Sequence, residues 1–272
     1  MKRNRKPRPM TSAPTELRQK ILEDFQVMRI PLLAEQLDAA LGRAESEGMS
    51  HLEFLRALIS EQANGRRERA LARRIREAGF AQLKTLADFD WQFNAEVIDR
   101  VLIETLAEGE FIGRRQNLVW VGQSGVGKSH LIEAIGLCAC VLGYRVRYET
   151  SASILEALTA ALADRTLPKL LRYYANFDLM ILDEFGFDRM ERLESPQAVS
   201  LLYKLINVRG DRSTALVTNV DFEKWCEYLG DPPLAMAFLD RIVDGAAILK
   251  INGKSYRAHR AEQASTGKRP KK

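Results

Sequence analysis

The chain has 272 residues, 46% of them hydrophobic, enough for one large domain or one large domain with a small companion. No apolar run approaches the roughly 20 residues that cross a bilayer, and the basic start Met1-Lys2-Arg3-Asn4-Arg5-Lys6 leads into Pro-Arg-Pro, so the expected location is the cytoplasm. Three cysteines without Cys-x-x-Cys spacing (Cys138, Cys140, Cys226) and three scattered histidines (His51, His130, His259) argue against a disulfide framework, a zinc site and a histidine metal site. The formal charge of +5 sits at the ends, which read as solubilising tails or as aids to nucleic-acid binding, while the body between them is net negative.

In chain order, Thr15 can cap a helix carrying Leu17, Ile21, Leu22 and Phe25; Pro31 interrupts it, and Leu32, Leu33, Leu37 and Leu41 resume the helical spacing. Ser50 can cap a further helix with Leu52, Phe54, Leu55, Leu58 and Ile59. Between Asn64 and Lys84 stand seven Lys/Arg against two acids. Arg66, Arg69, Arg73 and Arg76 share one helical face and Leu71, Ile75 and Ala78 the other. The arginine face reads either as solvated or as a phosphate-backbone contact, because arginine forks match phosphate oxygens. Gly79 ends this helix. Phe80 to Phe93 is a connector whose aromatics suit interdomain packing or an adenine ring.

A helix from Ala95 to Ala107 leads to a strand at 117–121, and from there strands and helices alternate as in a parallel sheet with crossover helices. Gly122-Gln123-Ser124-Gly125-Val126-Gly127-Lys128-Ser129 follows, matching G-x-x-x-x-G-K-[ST] between a strand and an apolar helix. The glycines and the helix start make an anion cradle. Lys128 is placed for the β- and γ-phosphates and Ser129 for Mg²⁺, and His130 sits beside the loop. A second strand covers 145–150. Helices at 153–163 and 167–175 follow, the latter bearing Lys169 and Arg172, which join the candidate DNA contacts. Phe177 to Glu184 reads as a central strand with two carboxylates at its C-terminal end: Asp183 for Mg²⁺ and Glu184 for the attacking water. Pro196 opens a helix to Gly210. The strand Thr214 to Asn219 ends in a polar residue able to orient that water or to cap the next helix, starting at Phe222. A helix 234–243 carries Arg241, and a last strand at 248–251 precedes Asn252-Gly253, a hairpin-type turn.

Together with Leu239-Asp240-Arg241-Ile242-Val243-Asp244-Gly245, these motifs resemble the AAA+ ATPases of the initiator and helicase-loader group, and within it the IstB-like helper ATPases of bacterial insertion sequences. Met28 to Leu37, Ala70 to Phe80, Lys84 to Asp90 and Lys254 to Arg257 extend the likeness over nearly the whole chain. The resemblance implies an α/β fold: a P-loop AAA+ core with helix-flanked parallel sheet, a small all-α N-terminal domain, and no C-terminal lid. It divides the chain into a basic tail (1–14), helical domain (15–84), linker (85–94), ATPase domain (95–256) and second basic tail (257–272). It implies ATP and Mg²⁺ as cofactors, ATP-dependent self-assembly on duplex DNA, and recruitment or activation of a transposase. Asn219 becomes the sensor residue. Arg241 becomes an arginine finger given to a neighbouring subunit, with Arg209 and Arg212 as alternatives. The rival is a DnaC-like loader that docks on a replicative helicase.

Overall fold

The computed structural model describes residues 13–186, 197–225, 229 and 231–266, which form one unit up to Ala70 and another from Leu71. The basic N-terminal stretch to residue 12, Pro196, Cys226 and the residues from 267 onward lie outside the described set. In the first unit, α1 (Ala13–Val27) and α2 (Ala34–Glu47) lie either side of Pro31. Ser50 caps α3 (His51–Ala78): its hydroxyl accepts from Glu53 N at 3.3 Å, while the Glu53 carboxylate accepts from Ser50 N at 2.8 Å. This reciprocal pair satisfies two donors that a helix start otherwise leaves open. Leu32, Leu37, Ala40 and Leu58 are buried, with Ile21, Leu22, Phe25 and Phe54 packed around them. The two helical stretches expected on either side of Asn64 are a single helix of 28 residues, since no proline interrupts them and the lone Gly65 costs only about 1 kcal/mol.

The second unit is built on a parallel sheet of β1 (Leu118–Gly122), β2 (Val146–Thr150), β3 (Leu179–Phe185), β4 (Ser213–Thr218) and β5 (Ala247–Ile251), in the order β2-β3-β4-β1-β5. Alternate residues supply opposite faces. Leu118, Trp120, Leu179, Ile181 and Val217 pack with residues of α4 (Arg100–Ala107), α5 (Glu110–Gly113) and α6 (Lys128–Leu142). Val119, Val121, Met180, Leu182 and Leu216 pack instead with α7 (Ser151–Ala163), α8 (Leu167–Ala175), α9 (Ala198–Arg209) and α10 (Pro232–Val243). With both faces covered, the strands read as continuous apolar runs, and each fully buried large side chain contributes about 1.5–3 kcal/mol.

Four boundaries differ from expectation. The helix expected from Ala95 starts at Arg100, because the Asp99 carboxylate caps it by accepting from Leu102 N at 3.1 Å. The stretch beginning at Phe222 is a single 3-10 turn, Phe222–Lys224. Asn252-Gly253 closes no hairpin: β5 is a parallel strand, and the chain continues into α11 (Tyr256–Thr266), so residues 257–266 are helical where a tail was expected. Residues 71–94, including the linker, belong to the second unit. No described helix is long and apolar enough to cross a membrane.

A candidate nucleotide site at the C-terminal edge of the sheet

β1 ends at Gly122 and α6 opens at Lys128, so residues 123–127 make the turn between them. Gly125 and Gly127 adopt φ +83° and +103°, and a Cβ there would lie 2.3 Å from Ser255 Oγ and 2.8 Å from the Phe89 ring. Only glycine fits both the angle and the space. Lys128 is buried, and its ammonium donates to the carbonyls of Gly122 (2.6 Å) and Gln123 (2.8 Å). Burial holds it below the ordinary lysine range; Asp183 opposes that shift and Arg257 adds to it.

Because β4 lies between β1 and β3, the loop after β1 and the acids ending β3 share one edge of the sheet. β3 carries one extra residue there: Leu182 pairs with Leu216, but Phe185 pairs with Thr218, and Glu184 takes φ +58°. A bulge of this kind re-aims the side chains around it. Asp183 is buried, accepting from the Tyr148 hydroxyl at 2.8 Å and from Glu184 N at 2.7 Å, whereas Glu184 is exposed. Burial, followed by the Asp183 charge, pushes the Tyr148 phenol up, so it remains a donor to the carboxylate.

A cavity of about 690 Å³ is lined by Ser124 to His130, Asp183 and Glu184 on one side, and by Lys84, Phe89, Phe93, Tyr256, Arg257 and Arg260 among others. The linker is tied down around it. His130 Nε2 is 2.9 Å from the Thr85 carbonyl, Phe89 meets the His130 ring edge-on at 5.2 Å, and Phe93 meets Tyr256 at 5.0 Å. The Asn94 amide donates to the Lys254 carbonyl (2.8 Å) and accepts from Lys254 N (2.9 Å), and Tyr256 N donates to the Gly125 carbonyl (2.9 Å). Phe89 and Phe93 therefore line the cavity, while Trp91 turns away, donating to the Leu86 carbonyl at 3.1 Å beneath Arg100.

The glycine cradle, the buried ammonium and the cavity volume fit a nucleoside triphosphate. Among the described residues no group of three or more His, Cys, Asp or Glu side chains could hold a metal. Ser129 and Asp183 offer two oxygen donors, which fits Mg²⁺, an ion that keeps waters and phosphate oxygens as its other ligands. Arg257 and Arg260 escaped the sequence reading because they were assigned to a tail. The available signal was Ser255, whose hydroxyl accepts from Ala258 N at 3.4 Å, ahead of a Tyr256, His259, Arg260 spacing that suits one helix face.

The other expected residues are dispersed. Asn219 is exposed beside the end of β3, its Oδ1 3.0 Å from where a Cβ on Gly186 would sit. Arg241 is exposed, and its carbonyl accepts from the Asn117 amide at 3.2 Å next to the start of β1, the sheet edge opposite the cavity. Arg209 is buried on neighbouring carbonyls and Arg212 is paired with Asp178, so neither alternative to Arg241 is a free cation. Arg66 and Arg69 fall in the first unit, at a groove with Phe25, Ile30 and Ile59, whereas Arg73 and Arg76 fall in the second; all four are exposed. On the other face of that stretch Leu71 and Ile75 pack on the core, and Ala78 is buried. Lys169 and Arg172 are exposed on α8.

A protein of Pseudomonas aeruginosa described as an ATP-binding protein of insertion sequence IS21 is 32% identical over 238 residues, spanning 87% of this chain and 88% of its own length. Its counterpart from insertion sequence IS232 of Bacillus thuringiensis is 28% identical over 240 residues, 88% of this chain and 94% of that protein. Among solved structures, DnaI superposes with a TM-score of 0.49 at 21% identity, covering 62% of this chain and 90% of DnaI. The DnaC helicase loader does so at 0.47 and 22%, covering 56% and 86%. The family model described as IstB-like ATP binding protein matches residues 24–264, and with the phosphate-loop fold already in view, this chain belongs to that family.

Proposed function

We propose that this chain is a DNA-stimulated ATPase that assembles on duplex DNA and assists transposition by recruiting or activating a transposase. The observation that carries the ATPase reading is the convergence of the glycine loop, Lys128, Asp183 and Glu184 on one cavity. The insertion-sequence origin of the relatives supports the transposition context over the helicase-loader alternative.

In this reading Lys128 leaves the Gly122 and Gln123 carbonyls for the terminal phosphates, and loop N–H groups hold the remaining charge. Ser129 and Asp183 hold Mg²⁺, which neutralises phosphate charge when bound. Tyr148 keeps the Asp183 carboxylate in place. Glu184, exposed at the bulge, takes the proton of the attacking water, and Asn219 at the neighbouring strand end orients that water. Arg257 and Arg260 face the nucleotide from α11 in the same subunit, and Arg241, on the far edge, serves a neighbour's site. The arginine faces on α3 and α8 contact phosphates.

ATP hydrolysis measured with and without duplex DNA tests this. A several-fold rise with DNA, abolished by Lys128→Ala, is expected; a DNA-independent rate together with stable binding to a replicative helicase would favour the loader.

A further inference from the structure

Opposite the nucleotide cavity, at the N-terminal edge of the sheet, lies a polar cleft of about 450 Å³ lined by Arg115, Tyr144, Asp178, Arg209, Asp211 and Arg212 among others. Its floor is unusual. Arg209 is 3% exposed, and among the described residues no carboxylate lies within salt-bridge distance of it. Its guanidinium donates to Thr214 Oγ1 (3.1 Å) and to the carbonyls of Tyr174 (2.6 Å), Phe177 (3.3 Å) and Ser213 (2.6 Å), which are all neutral acceptors. A guanidinium has five donors, so one N–H of this cleft-lining residue is left over. Burial, then the nearby Arg212, weighs against this charge and pushes its pKa down to about 9, with Asp178 opposing. A buried charge without a counter-ion is costly unless something completes it.

The two flanking arginines can turn to a ligand. Arg115 is held by Asp211 at 2.8 Å and Arg212 by Asp178, but the side chains are 67% and 46% exposed, and exposed pairs contribute only about 0–1 kcal/mol. Asp178 is further occupied by Arg145 N at 2.9 Å. Three guanidinium groups thus meet two carboxylates, and the surplus positive charge is the buried one.

We propose that this cleft is a second anion site, taking a phosphate group whose oxygens bridge Arg209, Arg115 and Arg212. A phosphate offers more acceptor oxygens than a carboxylate, enough for the one N–H that Arg209 has left and for the forks of Arg115 and Arg212. The group is free inorganic phosphate or a phosphate of a nucleic-acid backbone. The inference is independent of the ATPase reading, because the cleft and the nucleotide cavity lie at opposite ends of the strands.

The test uses the full chain with its nucleotide cavity taken out of the measurement in two ways: by Lys128→Ala, and in the native chain by saturation with ADP. Inorganic phosphate is titrated while the thermal midpoint is followed, with sodium chloride at matched ionic strength as reference. A saturable rise beyond chloride is expected, with apparent affinity weakened about tenfold in Arg115→Gln and in Arg212→Gln, each of which removes charged hydrogen bonds. Asp211→Asn, which frees Arg115 from its competitor, should instead tighten phosphate several-fold, a gain that mere damage to the fold cannot produce. Equal phosphate responses in the native chain and both glutamine variants overturn the site. The source is read from short duplex DNA: a salt dependence shallower by about one in Arg212→Gln assigns the site to the nucleic-acid backbone. Unchanged DNA binding beside a lost phosphate response assigns it to free phosphate.

Discussion

Glu184 combines a left-handed backbone angle with an exposed carboxylate, while its neighbour Asp183 is buried and twice hydrogen-bonded. Strain of this kind persists where surrounding structure over-determines it and clusters at functional sites. Glu184→Gln keeps the shape and removes the base, so ATP should stay bound while hydrolysis falls about 10²- to 10⁴-fold, as single-turnover assays would read directly. Wild-type turnover in that variant would withdraw the role given to Glu184. Gly125→Ala attacks the cradle instead. Its Cβ meets Ser255 and needs φ +83°, so nucleotide affinity should collapse and stability drop by about 1–2 kcal/mol, checked by nucleotide titration and denaturant unfolding. Cys140 is a free, buried cysteine. Its thiol is pushed up to about 11 by burial, with Arg74 opposing, so the folded state holds its proton longer than the unfolded chain, whose thiol titrates near 9.0. The stabilisation is therefore complete below pH 9 and fades as pH rises through about 11. Alkylation of Cys140 at pH 8 should occur only as fast as the chain opens.

At the level of elements, the linker and α11 are fastened to the glycine loop by few but specific contacts. Just ahead of the linker, Lys84 makes an ion pair with Glu133 on α6 at 2.8 Å, and that carboxylate is 2% exposed, with its second oxygen unpartnered among the described residues. Removing one member of a buried pair leaves the other charge stranded. Lys84→Ala should therefore cost about 3 kcal/mol, whereas adding Glu133→Gln should restore much of it; equal losses in single and double variants, measured by urea unfolding, would show that Lys84 acts by packing alone. The same region explains why the glycines at 125 and 127 are required, since Ser255 and Phe89 occupy the space a side chain would need.

For the molecule as a whole, the sheet separates the candidate nucleotide cavity from Arg241. The residues of the candidate nucleotide cavity gather where β1, β3 and β4 end, and Arg241 stands where β1 begins, with an exposed side chain and its carbonyl accepting from the Asn117 amide. An arginine so placed cannot serve its own cavity, but one supplied in trans is worth about 10³–10⁵ in rate. Lys128→Ala and Arg241→Ala should each be inactive alone and partly active when mixed, since some interfaces then pair an intact loop with an intact arginine. Co-assembly without recovery would argue against a shared site. DNA binding should weaken steeply with salt, and neutralising Arg69, Arg73 and Arg76 should flatten that dependence; an unchanged slope would assign the face to solvent or a protein partner.

By itself the sequence determined the phosphate loop, the acidic strand end and the alternation of strands and helices, because these depend on local spacing: glycines at fixed offsets, apolar runs of strand length, caps such as Ser50. Tertiary structure decided what spacing cannot carry. The bulge beside which Asp183 is buried and Glu184 exposed exists only as a register between β3 and β4. Tyr148 reaches Asp183 because β2 and β3 are neighbours in the sheet, and Arg257 and Arg260 reach the cavity because parallel β5 delivers α11 to the glycine loop. Arg209 was a candidate finger in the sequence and a buried cation in the fold, since only three-dimensional packing brings the carbonyls of Tyr174 and Phe177 to it. Contacts between residues far apart in sequence leave no periodic trace, and so these parts of the site emerged only once the chain was folded.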